Sequence, residues 1–438
     1  MALAIISVLS LGARSLFLDE PCQSPCTTAG DHTLIFDEAY YVNAARVLAG
    51  IRPPAGAHYS DAPLGTDPNA EHPAGVKLVM AAAIELFGDG PFAWRIGSLI
   101  MGSIAILGMY ALVTSAGGDP WEGVLASGLM ASDNLLLVMS RIGTLDIWVC
   151  AAMVWGVALY LRGRPVAAGI VLAVGTCFKE VAPYALFALA LLELGRLLVA
   201  HRDRAAPEEW RAGPALQRFS ATTFTTAGVF VGLLAIMDQI ATPYADSQAK
   251  LITGGPFAEI AHIISYAKGL TSPHGPVGIE SYPWDWLVDL KPILYLRINP
   301  SLPGHGLYAI HPVVAFYGMM SPPIMLLALP ALFFAAYRIW WGRRPAGERS
   351  FADPQLAILG LAWFLGTWLP FALQSLVDQR TSYIYYMVIV MPGIYVAVTY
   401  LVALGWRRRI RWLTRLTLVW GFGVLVAVVL MYPFVALF

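Results

Sequence analysis

Asp37 and Glu38 stand side by side in FDEAYY, at the head of the stretch LIFDEAYYVNAARVLAG from Leu34 to Gly50, directly after the first apolar run. Successive side chains diverge by about 100° on a helix and about 180° on a strand, so the two carboxylates need separate roles. Apolar residues from Ala39 to Leu48 are spaced for one helical face and end at Gly50, which puts Asp37 at a helix N-terminus. An N-cap is the ordinary use of Asp there. The other reading is a general base, because an acidic pair beside a bilayer is costly unless solvated or functional.

Cations recur at comparable places: His72 and Lys77 in EHPAGVK, Arg141 in SRIGTLD, Lys179 before Glu180, and Arg380 in QRTSYIYY. Each alone reads as a structural His or a residue snorkelling to headgroups. Arg141 and Asp146 flank one turn and read equally as an ion pair, while Arg95 opens a span; Asp146 and Arg95 are candidates for structural pairing. Taken together, the five cations and Asp37 describe a site that binds an anion and deprotonates a hydroxyl. A sugar on a polyprenyl phosphate meets both requirements. A base takes the acceptor proton while cations stabilise the departing phosphate, and such a leaving group needs no general acid. Trp284, Asp285 and Trp286 in SYPWDWLVDLKPILYLR suit an acceptor or sugar platform, although Trp alone fits an interfacial belt equally well.

The elements that must hold these residues are membrane helices. Of 438 residues 58% are hydrophobic and only 13% charged, which excludes an ordinary soluble domain and describes a polytopic membrane protein. No basic patch points to nucleic acid. Stretches long enough to span about 30 Å of hydrocarbon fall at 2–18, 93–115, 121–139, 144–161, 166–182, 183–199, 219–240, 312–337, 355–377, 383–404 and 416–437, eleven helices in all. Arg162 and Arg164, the group from Arg196 to Arg218, the group from Arg338 to Arg349 and the run from Arg407 to Arg415 lie in alternate loops, which the positive-inside rule makes cytoplasmic. Two long polar loops, 19–92 and 241–310, then share the outer face with the turns at Ser140–Gly143 and Gln374–Arg380. No inverted repeat is visible, which weakens a secondary-transporter reading.

Cys150 and Cys177 lie in apolar runs and read as small buried hydrophobes. Cys22 and Cys26 sit in a polar loop that admits a local disulfide in an oxidising compartment. No second ligand pair at zinc spacing is nearby, and nothing completes an oxygen-ligand set at Asp37 and Glu38, so neither metal nor other cofactor is expected. The N-terminus lacks a basic n-region and a clear cleavage site and reads as a first span.

In order along nearly the whole chain, FDEAYY, HPAGVK with GDGPFAWR, LLLVMSRIGTLD, GTCFKE, YPWDW with KPILY, and QRTSYIYYMVIVMP resemble the landmarks of protein O-mannosyltransferases. The resemblance implies a GT-C fold and a polyprenyl-phosphate-mannose donor. It implies Asp37 as catalytic base, Glu38 in acceptor or sugar placement, His72, Arg141, Lys179 and Arg380 at the donor phosphate, and Trp284 to Trp286 near the acceptor; Lys77 joins the donor group as a neighbouring cation of the same face. Two departures stand out: Ala74 where the family has a second Pro, and Glu180 where it has an aromatic. The loop 241–310 has no room for the large sugar-binding domain of eukaryotic members. The expectation is one all-α GT-C domain over 1–438, acting as an inverting mannosyltransferase on Ser/Thr of exported proteins at the outer face of a plasma membrane. The alternatives are transfer of another lipid-linked sugar, a pentose or amino sugar, to an envelope glycan or lipid, and a non-catalytic polyprenyl-sugar transporter, which would not need Asp37.

Overall fold

The computed structural model describes residues 1–23, 26–298, 314–341, 352–407 and 411–431. The distal part of the second loop (299–310) and Arg343, Arg344, Arg349, Arg408 and Arg409 lie outside the described residues. Among the described residues fifteen α-helices run α1 (Ala2–Ser15), α2 (Glu38–Leu48), α3 (Gly75–Phe87), α4 (Pro91–Ser115), α5 (Pro120–Ser132), α6 (Asn134–Met139), α7 (Asp146–Leu161), α8 (Pro165–Phe178), α9 (Tyr184–Arg202), α10 (Ala212–Ile240), α11 (Pro256–Gly269), α12 (Pro322–Trp340), α13 (Ala352–Val377), α14 (Met387–Arg407) and α15 (Arg411–Met431). Short strands β1 (Tyr244–Ala245) and β2 (Lys250–Leu251) form one antiparallel pair, β3 (Ile293–Ile298) and β4 (Val314–Gly318) another.

Each of the eleven apolar stretches holds helix, but among the described residues seven helices are long and apolar enough to cross a membrane: α4, α9, α10, α12, α13, α14 and α15. Three more, α1, α7 and α8, are apolar and shorter. The stretch 121–139 breaks into α5 and α6 at Asp133, whose carboxylate turns back to cap α6 by accepting from Leu135 N and Leu136 N. The stretch 312–337 is also corrected. Val314–Gly318 pairs as a strand, and the helix begins only at Pro322, where the double proline suits the first helical turn.

Packing orders the bundle around α14, which is buried along almost its whole length between α13, α12, α5 and α7. Gly393 lets α14 touch α13, where an added Cβ would come within 2.7 Å of Phe364 N. By contrast α15 and α10 expose Val419, Phe422, Leu425, Phe224 and Ile236 outward, the apolar surface that lipid would cover.

At one end the polar loops knit together. Asp67 and Asn69 of the first loop bridge to Pro243 and Ala245 of the second, and Tyr59, Ala62 and Tyr244 form a small shared core. Thr271 pairs with Arg380, and Thr381 N donates to Leu270 O at 3.0 Å. The opposite end carries arginine ties: Arg162 to Ser115, Arg202 to the carbonyls of Ile339 and Trp340, and Arg407 to Asp119 and Glu122.

Candidate active site

Asp37 is the N-cap residue of α2, yet its side chain makes no capping bond. Phe36 before it has φ +52°, a left-handed conformation that is rare for a bulky side chain, and its ring is held edge-on against Tyr295 and Tyr385. This turn sends the Asp37 carboxylate away from the helix and into a cavity of about 500 Å³. Burial pushes the carboxyl up to about 6, opposed by the charges of Lys179 and His72 and by a hydrogen bond from Tyr385.

Glu38 takes the opposite path. Its side chain is fully buried and paired with Arg95, with Oε1 to Nε at 2.7 Å and Oε2 to Nη2 at 2.8 Å. Gly143 N and Ile35 N donate to the same two oxygens. Burial alone would raise this carboxyl, but Arg95 and the two backbone donors outweigh it and hold it below the usual value. The sequence-based role of Glu38 in placing acceptor or sugar is therefore corrected: both oxygens are committed inside the protein. Arg95 and Asp146 are each ion-paired, but not with one another. Arg95 also grips the Leu18 and Glu20 carbonyls, whereas Asp146, at the start of α7, holds Lys179 Nζ at 2.8 Å.

Beyond the turn at Asp37, four main stretches supply the cavity's polar and aromatic wall. His72 and Glu71 come from the turn before α3, Lys179 and Glu180 from the end of α8, Tyr266 and Ala267 from α11, and Arg380, Tyr385 and Tyr386 from the turn before α14. The approach of the first two depends on Gly75, where a Cβ would collide with the Cys177 carbonyl at the end of α8. Once they meet, His72 Nδ1 lies 2.7 Å from Glu180 Oε2. Lys179 breaks out of α8 into extended backbone and faces the Tyr385 and Tyr386 rings at 5.4 and 5.1 Å. Arg380 donates from Nη1 to the Ala267 carbonyl, while its Nε is buried with no hydrogen-bond partner among the described residues.

Two expected donor residues lie elsewhere. Lys77 is fully buried, bonded to Asp67 Oδ2 at 2.6 Å and to the carbonyls of Asn69 and His72. It ties the 67–72 turn together rather than facing the cavity. Arg141 lies 4.0 Å over the Phe316 ring and donates to the Leu16 and Phe17 carbonyls at 2.6 Å. The tryptophan loop is likewise redistributed. Trp286 is buried, bonded to Ser281 Oγ and edge-on to Tyr386; Asp285 accepts from Tyr282 N; Trp284 stacks on Tyr282 at the surface. None of the three lines the cavity.

Sequence reasoning passed over Tyr41, Tyr266, Tyr385 and Tyr386, which form much of the cavity wall. The tyrosine-rich run SYIYY was visible beside Arg380, but tyrosine at a bilayer interface is so common that its type alone carries little signal. A second cavity of about 480 Å³ adjoins the first. Both include Lys179, Glu180, Ala267, Arg380 and Tyr386, but the second runs outward between α8, α9, α10, α11 and α13 over Ala227, Phe230, Ile260 and Ile264. It is an apolar groove that opens from a charged junction.

Cys22 and Cys26 are joined as a disulfide, with His32 Nε2 3.8 Å from Cys22 Sγ. Among the described residues this trio is the one group of three His, Cys or acidic side chains close enough to share an ion, and the disulfide occupies both its sulfurs.

Residues 71–210 match the family model described as dolichyl-phosphate-mannose-protein mannosyltransferase. A Mycolicibacterium smegmatis protein named polyprenol-phosphate-mannose--protein mannosyltransferase is 24% identical over 389 residues, 76% of this chain and 71% of the relative. The protein of that name from Corynebacterium glutamicum is 34% identical over 148 residues, 33% of this chain and 26% of its own. Among solved structures, the Saccharomyces cerevisiae protein O-mannosyltransferase Pmt1-Pmt2 complex bound to the sugar donor matches with a TM-score of 0.69 at 11% identity, covering 98% of this chain and 88% of that one. The resemblance read from the motifs is thus met in sequence over part of the chain and in fold over nearly all of it: the chain has a GT-C membrane fold and is similar in sequence to protein O-mannosyltransferases.

Proposed function

We propose that this chain is an inverting glycosyltransferase that moves mannose from polyprenyl-phosphate mannose to Ser or Thr hydroxyls of exported polypeptides on the outer face of a plasma membrane. The observation that carries the reading is the junction of Asp37, Lys179 and Arg380, with a polar cavity on one side and an apolar groove on the other. The polyprenyl chain fits the groove and leaves its phosphate beside Lys179 and Arg380. The relatives' names supply the sugar and the acceptor class. The loops that form the site carry few basic residues, which favours the outer side.

In the displacement, Asp37 accepts the proton of the acceptor hydroxyl as its oxygen bonds to the sugar's anomeric carbon. The bond from that carbon to phosphate breaks on the opposite face, and the electron pair leaves with polyprenyl phosphate. Arg380 is the principal phosphate ligand, since no carboxylate pairs with it among the described residues, whereas Asp146 already balances Lys179. Glu180 fixes the His72 ring against the cavity wall. We further propose that no divalent ion bridges Asp37 and Glu38, because both Glu38 oxygens are bonded to Arg95 and backbone.

The test uses purified Asp37→Asn with labelled polyprenyl-phosphate mannose and a Ser/Thr-rich peptide. Turnover is expected to drop at least ~100-fold, the scale of losing a general base, with donor binding retained. Undiminished transfer would reject Asp37 as the base. Sugar transfer to an envelope glycan but to no peptide would replace the acceptor assignment.

A further inference from the structure

A third cavity, of about 480 Å³, lies on the far side of α2 from the apolar groove. It meets the catalytic cavity at Ala39 and His58, so the three spaces stand in series: apolar, catalytic, polar. Ala39, Asn43 and Arg46 all line it and occupy one face of α2, the helix whose N-cap is Asp37. The opposite wall is the loop from Arg52 to His58, most of it exposed. Tyr40 and His58 stack across the division between the two polar spaces, with ring centroids 4.1 Å apart.

We propose that this third cavity receives the acceptor polypeptide as an extended segment carrying an acidic side chain a few residues from its Ser or Thr. The inference rests on the glycosyl-transfer reading above. A macromolecular acceptor needs a channel open along its length, and the exposed Arg52–His58 wall provides one. It cannot use the apolar groove without desolvating its peptide groups. The run of α2 from Ala39 to Arg46 covers roughly 10 Å, about three extended residues, and leads directly to Asp37. The charge preference follows from the partners of the two arginines. Arg46 is balanced by Asp89, with Nε to Oδ2 at 2.9 Å. Arg52 donates to the Ser60 carbonyl at 2.8 Å and has no carboxylate partner among the described residues. A carboxylate on the passing segment would complete Arg52.

The experiment measures binding of fluorescent Thr peptides to the full chain in nanodiscs, with Asp or Lys placed three residues from the Thr on either side. The Asp peptides are expected to bind about 2- to 5-fold more tightly, the range one exposed ion pair supports. Arg52→Glu should invert that order, and Ala57→Trp, which fills the channel, should weaken every peptide while leaving donor binding intact. Equal affinities in the unmodified chain, or an order unchanged in Arg52→Glu, would overturn the proposal. Mannose transfer is read in parallel. Charge-dependent peptide binding with no transfer to any acceptor would leave the channel standing and remove the enzymatic reading, whereas transfer indifferent to flanking charge would remove the channel alone.

Discussion

Two adjacent carboxylates meet opposite fates because one turn separates them. Asp37 follows the left-handed Phe36 and faces the cavity; Glu38, one helical step on, points into the packing between α2 and α4. Of the two carboxylates, Asp37 is the one expected to carry a pH dependence. Burial pushes its carboxyl up to about 6, and the proposed base works only when ionised, so kcat/KM for transfer should rise with pH through about 6 and level off above it. A profile flat from pH 5 to 8 would contradict this. Glu38→Gln should act through stability. Removing one member of a buried pair leaves Arg95 uncompensated, a cost of about 3–5 kcal/mol, visible as a lower unfolding midpoint in detergent. A normal midpoint with selectively impaired acceptor use would restore the role expected from sequence.

At the scale of elements, the helices were legible because runs of apolar residues identify spans without reference to partners. The breaks were not. Asp133 splits one run by turning its carboxylate onto α6, and residues 314–318 leave another to pair with β3, both outcomes of tertiary contacts that hydropathy does not encode. The candidate site was legible to the same degree. Asp37, His72, Lys179 and Arg380 converge, while Lys77 and Arg141, of the same type and at similar helix ends, serve as internal ties. Residue type marks a cation, but only the fold says which way it points. Gly75 makes a direct check on this positioning. In Gly75→Val the new side chain pushes α3 from α8, at an overpacking cost of about 1–3 kcal/mol, and should separate His72 from Glu180. Transfer is expected to fall more than stability accounts for, whereas full activity in Gly75→Val would show that the α3–α8 contact does not set the site.

For the whole molecule, the proposed route of the lipid donor to the charged site is the apolar groove between α10 and α11. Ala227 is exposed on its wall, so Ala227→Trp narrows the groove without disturbing the core. The expected outcome is a higher KM for a long-chain polyprenyl donor, with little change for a short water-soluble analogue of the same sugar phosphate. Equal effects on both donors would place the lipid elsewhere.

The serial arrangement of the three cavities also constrains the order of events. On the proposed assignment of the cavities, lipid and polypeptide approach Asp37 from opposite ends, so neither must vacate the site before the other arrives, and the spent lipid can return to the bilayer while the sugar-bearing chain departs into water. That assignment predicts a ternary complex. Initial-rate lines at varied donor and acceptor should intersect, and a sugar-labelled enzyme should never accumulate.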